Sequence, residues 1–252
     1  MKNVGDVGSA RENYLRKPLP NLRFLLSRRF SWMNEYCQQK DVVIELGSGA
    51  GFSKFFIENP KLRLTDVSGK DWIDEHVDAL NIPYKSDSVD VFILSHMIHH
   101  VAKPSLLLES LARALRPGGV ILIHDVNASL AMRAVLFIMR HEGWSFDVSP
   151  FDKGQLCNDP SDPWSANCAI SNLLFDDHDL FHKNFPSLRI VEDRHEEFFT
   201  FLLSGGVIAK TFTIPLPEKA LAVFGSIDNF LTKWFPNIFA LSRRIVLQKR
   251  LV

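Results

Sequence analysis

The stretch Val42-Val43-Ile44-Glu45-Leu46-Gly47-Ser48-Gly49-Ala50-Gly51-Phe52 constrains this chain more than any other. Its apolar, β-branched start reads as a buried strand carrying one acid. Three glycines at alternate positions then form a turn ahead of a predicted helical run over 53–58. A strand, loop and helix in that order make a ligand cradle: glycine lets backbone approach a ligand and permits positive φ, and the N–H groups opening a helix favour a carboxylate or phosphate. Asp66 closes the next apolar run, Leu62–Thr65, where nucleotide-binding folds place an acid against ribose hydroxyls.

The glycine spacing separates two ligand classes. A dinucleotide fingerprint calls for its third glycine or alanine at position 52, which is Phe52 here. The observed pattern is Glu-x-Gly-x-Gly-x-Gly, from Glu45 through Gly47 and Gly49 to Gly51. It resembles the first motif of class I S-adenosylmethionine (SAM) methyltransferases, and the likeness extends over Asp41–Asp125. Asp66 matches the family's ribose acid. The segment from Val77-Asp78-Ala79 to Tyr84 is similar to its adenine-edge segment, Ser88–Leu94 to its fourth strand, and Leu115-Arg116-Pro117-Gly118-Gly119 to its turn into the fifth.

The resemblance implies an α/β, Rossmann-like, doubly wound sheet of seven strands in the order 3-2-1-4-5-7-6, the last antiparallel, with SAM as cofactor. It places Glu45 at the amino group of the methionine part, Asp66 at the ribose and Asp78 and Ala79 at the adenine edge. Gly47, Ser48, Gly49, Gly51, Val67 and Ser95 complete the expected cofactor set.

At 252 residues the chain has room for one α/β domain with a large core. Its formal charge is zero and its hydrophobic content 46%, which exclude a disordered chain and a generally basic nucleic-acid surface. Basic residues do gather at the ends: residues 1–40 hold eight Lys or Arg against three acids, and 241–252 hold four and no acid. Cys37, Cys157 and Cys168 are odd in number and lack metal-ligand spacing, which reads as reduced thiols. With no secretory-type apolar N-terminus and no run of 18 apolar residues, the expected location is the cytoplasm.

Residues 1–40 read as an arm or strap over the cofactor followed by one amphipathic helix over 21–39; residues 41–252 read as the main domain. Only eleven residues separate Asp66 from Asp78, so the crossover helix there must shrink to about one turn over 71–76, leaving Trp72 or Ile73 to wall the adenine side. Strand four runs into Ser95-His96-Met97-Ile98-His99-His100. Adjacent side chains diverge on a strand or helix, so no metal is expected from the histidine pair. Strand five ends in His124-Asp125, and His124, able to accept a proton near neutral pH, is the candidate general base.

Two insertions, about 128–186 and 198–239, are expected to cap the site. In the second, Ala220, Val223, Phe224, Ile227, Phe230, Leu231 and Trp234 form an apolar stripe on a predicted helix over 218–235. That stripe is expected to line a pocket for an apolar acceptor.

The function expected is methyl transfer from SAM to oxygen, nitrogen or carbon of a small or lipid-like acceptor, with peripheral membrane contact at the basic ends and no nucleic-acid partner. The alternatives are a non-catalytic SAM-binding regulatory or partner subunit and, less favoured because of Phe52, a nicotinamide-dependent oxidoreductase.

Overall fold

A computed structural model describes residues 6–140, 142–162 and 165–251. Seven strands, β1 (Val43–Leu46), β2 (Leu62–Asp66), β3 (Glu75–His76), β4 (Val89–Ser95), β5 (Leu115–Val126), β6 (Leu188–Glu196) and β7 (Ser242–Lys249), form one sheet in the order β3-β2-β1-β4-β5-β7-β6. β1 to β5 are parallel, and β7 runs antiparallel between β5 and β6. This is the sheet order implied by the resemblance.

Both faces of the central strands are buried, and alternation divides their side chains between two cores. Val43, Val91, Ile93, Leu122 and Val246 pack beneath the N-terminal helices α1 (Val7–Arg16), α2 (Pro20–Phe30) and α3 (Asn34–Cys37). Ile44, Leu46, Phe92, Leu94, Ile121 and Ile123 pack beneath α4 (Pro104–Ala114), α6 (Ile170–Phe175) and α7 (His178–Asn184). α5 (Leu130–Met139) follows β5, while α8 (Phe199–Leu202), α9 (Glu218–Trp234) and α10 (Pro236–Phe239) lie between β6 and β7.

Several elements differ from the sequence reading for identifiable reasons. The helix expected over 53–58 is a four-residue 3-10 turn, Phe52–Phe55. Phe52 and Phe55 both turn onto Tyr14 of α1, with ring centroids 5.0 and 5.4 Å away, and so short a turn has no helix dipole to offer an anion. The helix expected over 21–39 breaks at Ser31–Met33, where Asn34 turns aside to bond the carbonyl of Phe56 and the amide of Glu58. In the first insertion α6 stops at Phe175, and Asp177, in extended geometry, caps α7 through the amide of Leu180. Between β2 and β3 the chain crosses by a turn and no helix forms.

α1 is ordered against the Gly loop. Asp6 caps it through Ser9, and Arg11 Nη1 donates 2.7 Å to the carbonyl of Ala50. Residues 1–5 of the expected arm, and Trp164 of the first insertion, lie outside the described residues.

Candidate functional site

The carboxyl ends of β1, β2 and β4 open onto a cavity of about 690 Å³. Gly47, Gly49 and Gly51 all have positive φ, of 66°, 50° and 64°, and each is glycine for a different reason. A Cβ on Gly49 would meet nothing within 4 Å, so this residue presents bare backbone to the cavity it lines. A Cβ on Gly47 would strike Met97 at 2.5 Å. At Gly51 it would press on Leu64, Arg11 and Trp72 behind the loop, and Gly51 does not line the cavity. Trp72 acts from that rear side too: its Nε1 donates 2.8 Å to the carbonyl of Gly49, and Arg11 stacks over its ring. Neither Trp72 nor Ile73, expected as an apolar wall, lines the cavity; around Asp78 its apolar lining comes from Val77, Ala79 and Leu80.

Three carboxylates mark this end. Glu45 is buried and accepts a short hydrogen bond from Ser53 Oγ; burial outweighs that bond and raises its pKa to about 7. Asp66 Oδ2 accepts from the amide of Gly49 at 2.9 Å and Oδ1 from the amide of Ser68 at 2.8 Å, leaving further lone pairs for a ligand. Asp78 is exposed and held by the amide of Leu80 and the side chain of Asn81. Glu45, Gly47, Ser48, Gly49, Asp66, Val67, Asp78, Ala79 and Ser95 all line the cavity.

His124 does not. Its side chain is 0% exposed, within a buried chain of polar groups. Arg29 grips Glu197 with two 2.7 Å bonds, Glu197 Oε1 lies 3.4 Å from His124 Nε2, and His124 Nδ1 lies 3.2 Å from His96 Nε2. His96 is the member of this chain that reaches the cavity wall together with Arg29. Its backbone is left-handed, φ 51°, as is that of Glu197, φ 61°. Burial, reinforced by the Arg29 charge, holds the His96 imidazolium well below its usual range, so the ring is neutral.

His99 also lines the cavity. Burial disfavours its charge, but the Asp125 carboxylate bonded to Nδ1, with Glu142 beyond, outweighs burial and raises its pKa to about 9. Asp125, 0% exposed, also accepts from the amides of Ile98 and Val126. The His99–Asp125 pairing has a faint trace in sequence: each residue sits just past or at the end of a strand, and β4 and β5 are neighbours.

The remaining wall is apolar. It comes from Leu26 and Phe30 of α2, from Met132, Val135, Leu136 and Met139 of α5, and from Phe201, Val207, Ile208 and Phe212 after β6. α9 takes no part in it. Its buried residues are Leu221, Gly225, Asp228 and Thr232, while Val223, Ile227, Phe230 and Trp234 face outward. Two local demands select that inward face. Asp228 accepts from the amides of Phe198, Phe199 and Thr200, capping α8, and Gly225 admits Phe24 and Arg28 of α2 at a distance a side chain would obstruct.

A seven-stranded sheet of this order with β7 antiparallel, carrying a glycine cradle after β1 and an acid at the end of β2, defines the class I methyltransferase fold. Residues 11–161 match the family model of a methyltransferase domain, and the chain belongs to that family, whose methyl donor is SAM. A demethylmenaquinone methyltransferase of Clavibacter sepedonicus is 36% identical over 78 residues, which span 31% of this chain and 31% of that enzyme. A SAM-dependent methyltransferase from Archaeoglobus fulgidus superposes over 94% of this chain and 97% of its own with a TM-score of 0.56 at 16% identity, a likeness of fold. Among the described residues no helix is long and apolar enough to cross a membrane.

Proposed function

We propose that this protein transfers the methyl group of SAM to a small or lipid-like acceptor with a largely apolar body. The observation that carries the reading is the division of one cavity into an acidic end and an apolar end. Carboxylates at Glu45, Asp66 and Asp78 suit a ligand bearing an ammonium, a sulfonium and ribose hydroxyls, and they repel the pyrophosphate of a dinucleotide. Glu45 holds the ammonium, Asp66 the ribose, and Asp78 with Ala79 the adenine edge, while bare backbone at Gly49 allows close approach. When bound, SAM supplies a methyl carbon already activated by the sulfonium charge. What is asked of the chain is placement and exclusion of water.

His124 acts through His96 in this reading. Hydrogen on His124 Nε2 faces Glu197, so its Nδ1 accepts from His96 Nε2–H. The lone pair of neutral His96 is thereby left on Nδ1, available to take a proton from an acceptor in the cavity. His96 is the candidate base and His124 a positioning residue.

The apolar end continues onto the surface. Phe212 both lines the cavity and is 89% exposed, and α5 presents Val135 and Met139 inward but Phe137 and Ile138 outward. α10 packs against both α5 and α9, extending this outward strip to Phe230 and Trp234, with Lys233 over the Trp234 ring. Aromatic residues beside lysine suit a lipid headgroup boundary, from which an apolar acceptor enters the cavity.

Calorimetry with SAM, followed by incubation of the protein with labelled SAM and fractionated host extract, tests the proposal. SAM binding with label entering lipid or small-molecule pools is expected. Absence of SAM binding, or label confined to protein or nucleic acid, overturns it. SAM binding without transfer to any pool favours the regulatory alternative.

A further inference from the structure

We infer that His99, His100 and Glu142 form a binding site for one divalent transition-metal ion, of the zinc type, in the wall of the cavity. They are the one group of three such donors converging within 4.8 Å among the described residues. Divergence of neighbouring side chains does not apply to the histidine pair, because both lie in the 3-10 turn Ile98–His100, where their ring centroids are 4.2 Å apart. Glu142 reaches them from the loop after α5. Its Oε2 is 3.7 Å from His99 Nε2 and its Oε1 is 3.7 Å from His100 Nε2.

Hydrogen-bond accounting points to a cation between these three groups. His99 Nδ1–H is directed at the Asp125 carboxylate, and His100 Nδ1–H donates 3.0 Å to the carbonyl of Ser165. A carbonyl and a carboxylate only accept, so both rings carry hydrogen on Nδ1 and turn Nε2 toward Glu142. Both Nε2 atoms thus face the Glu142 carboxylate, which also accepts from Cys168 Sγ at 3.3 Å, and each can direct a lone pair at an ion lying between them. A proton on Nε2 and a metal ion are the two cations that suit this place.

Two features favour the metal. Two imidazoles and one carboxylate are a zinc donor set. The far nitrogen of each histidine is fixed by an acceptor, the arrangement that sets ring orientation in metal sites. Metal–ligand bonds of about 2.0 Å place tetrahedral donors about 3.3 Å apart, against 3.7 Å for each present nitrogen–oxygen pair and at most 4.8 Å within the trio. The loop bearing Glu142 is itself tied to the histidine turn, with the amide of Asn167 and the side chain of Asn158 both bonding the carbonyl of His99.

All three residues line the cavity, so the fourth coordination position opens into it. An oxygen or nitrogen of the acceptor would take that position and be held and polarised there. Ion binding stands by itself; that the acceptor fills the open position rests on the methyltransferase reading.

The test uses full-length protein dialysed against a chelator, titrated with Zn²⁺ by calorimetry and with Co²⁺ by visible absorption, with SAM affinity measured on the same samples. One ion per chain and a tetrahedral Co²⁺ spectrum are expected. His100→Ala and Glu142→Gln should each weaken the ion by about tenfold or more and leave SAM affinity within about twofold. No Zn²⁺ binding by the folded protein, or the same affinity and stoichiometry in both variants, overturns the inference and leaves the cluster a proton-linked pair. Ion binding without SAM binding would keep the metal site and sink the methyltransferase reading instead.

Discussion

At the scale of single residues, the acid that opens the Gly loop and the acid that closes β2 make separable predictions. The Glu45 carboxyl has its pKa raised to about 7 by burial, against the bond from Ser53. A ligand ammonium favours the carboxylate, so binding SAM expels a proton wherever the free protein holds one. Affinity should therefore rise with pH by up to about tenfold per unit below pH 7 and level off above it. Calorimetry in buffers of different ionisation heat would detect the released proton, and Glu45→Gln should flatten the profile. A flat profile in the parent protein would place the ammonium elsewhere. Asp66→Ala removes the two ribose contacts proposed for this carboxylate, each worth about 1.5–3 kcal/mol when charged, and should weaken SAM at least tenfold in a folded protein. Its present bonds to Gly49 and Ser68 mean that circular dichroism must accompany the titration, since part of the loss could come from a slackened loop.

At the scale of elements, α9 has an apolar stripe and buries something else. Leu221 is its conventional anchor, whereas Gly225 and Asp228 serve α2 and α8. Phe230→Ala and Trp234→Ala alter side chains that are 58% and 64% exposed, so each should change stability by no more than about 0.5 kcal/mol. Both should reduce cosedimentation with anionic vesicles. Asp228→Ala should cost about 3 kcal/mol, because it strands three amide donors in a buried place. Chemical denaturation of the three variants separates these outcomes: a large loss for Phe230 or Trp234 would mean that the strip is covered in the folded protein, which would remove the case for a lipid surface.

At the scale of the whole molecule, the Arg29–Glu197 pair joins α2 to the segment after β6 and connects through His124 and His96 to the cavity. Both partners are buried, so removing one leaves an unpaired charge, and Arg29→Leu should destabilise by about 3–5 kcal/mol. Burial would raise the Glu197 pKa, but Arg29 and His124 outweigh it and lower the value. A depressed carboxyl contributes stability that is present above its unfolded pKa, near 4.5, and is lost as pH falls through the lower folded value. Unfolding midpoints of the parent should therefore drop below about pH 4.5 more steeply than those of Arg29→Leu; parallel curves would show that the pair does not govern acid stability.

The sequence by itself determined the sheet, its strand order by way of the family resemblance, and the cofactor cradle. These follow from local signals, since a buried strand, an alternate-glycine turn and a closing acid are contiguous in the chain and hardly depend on distant residues. What only the tertiary structure decided are contacts between segments far apart. His124 satisfies each demand that can be read along β5, yet Glu197 and His96 enclose it, and His96 takes the cavity face. Gly51 matches the cofactor motif, yet its missing side chain serves Leu64, Arg11 and Trp72. The stripe of α9 satisfies helical periodicity, yet Asp228 and Gly225 turn a neighbouring face inward, leaving Phe224 at its margin against Phe199 while Val223, Ile227, Phe230 and Trp234 stay outside. Periodicity reports which side of a helix is apolar; which side is buried depends on what the neighbouring elements require.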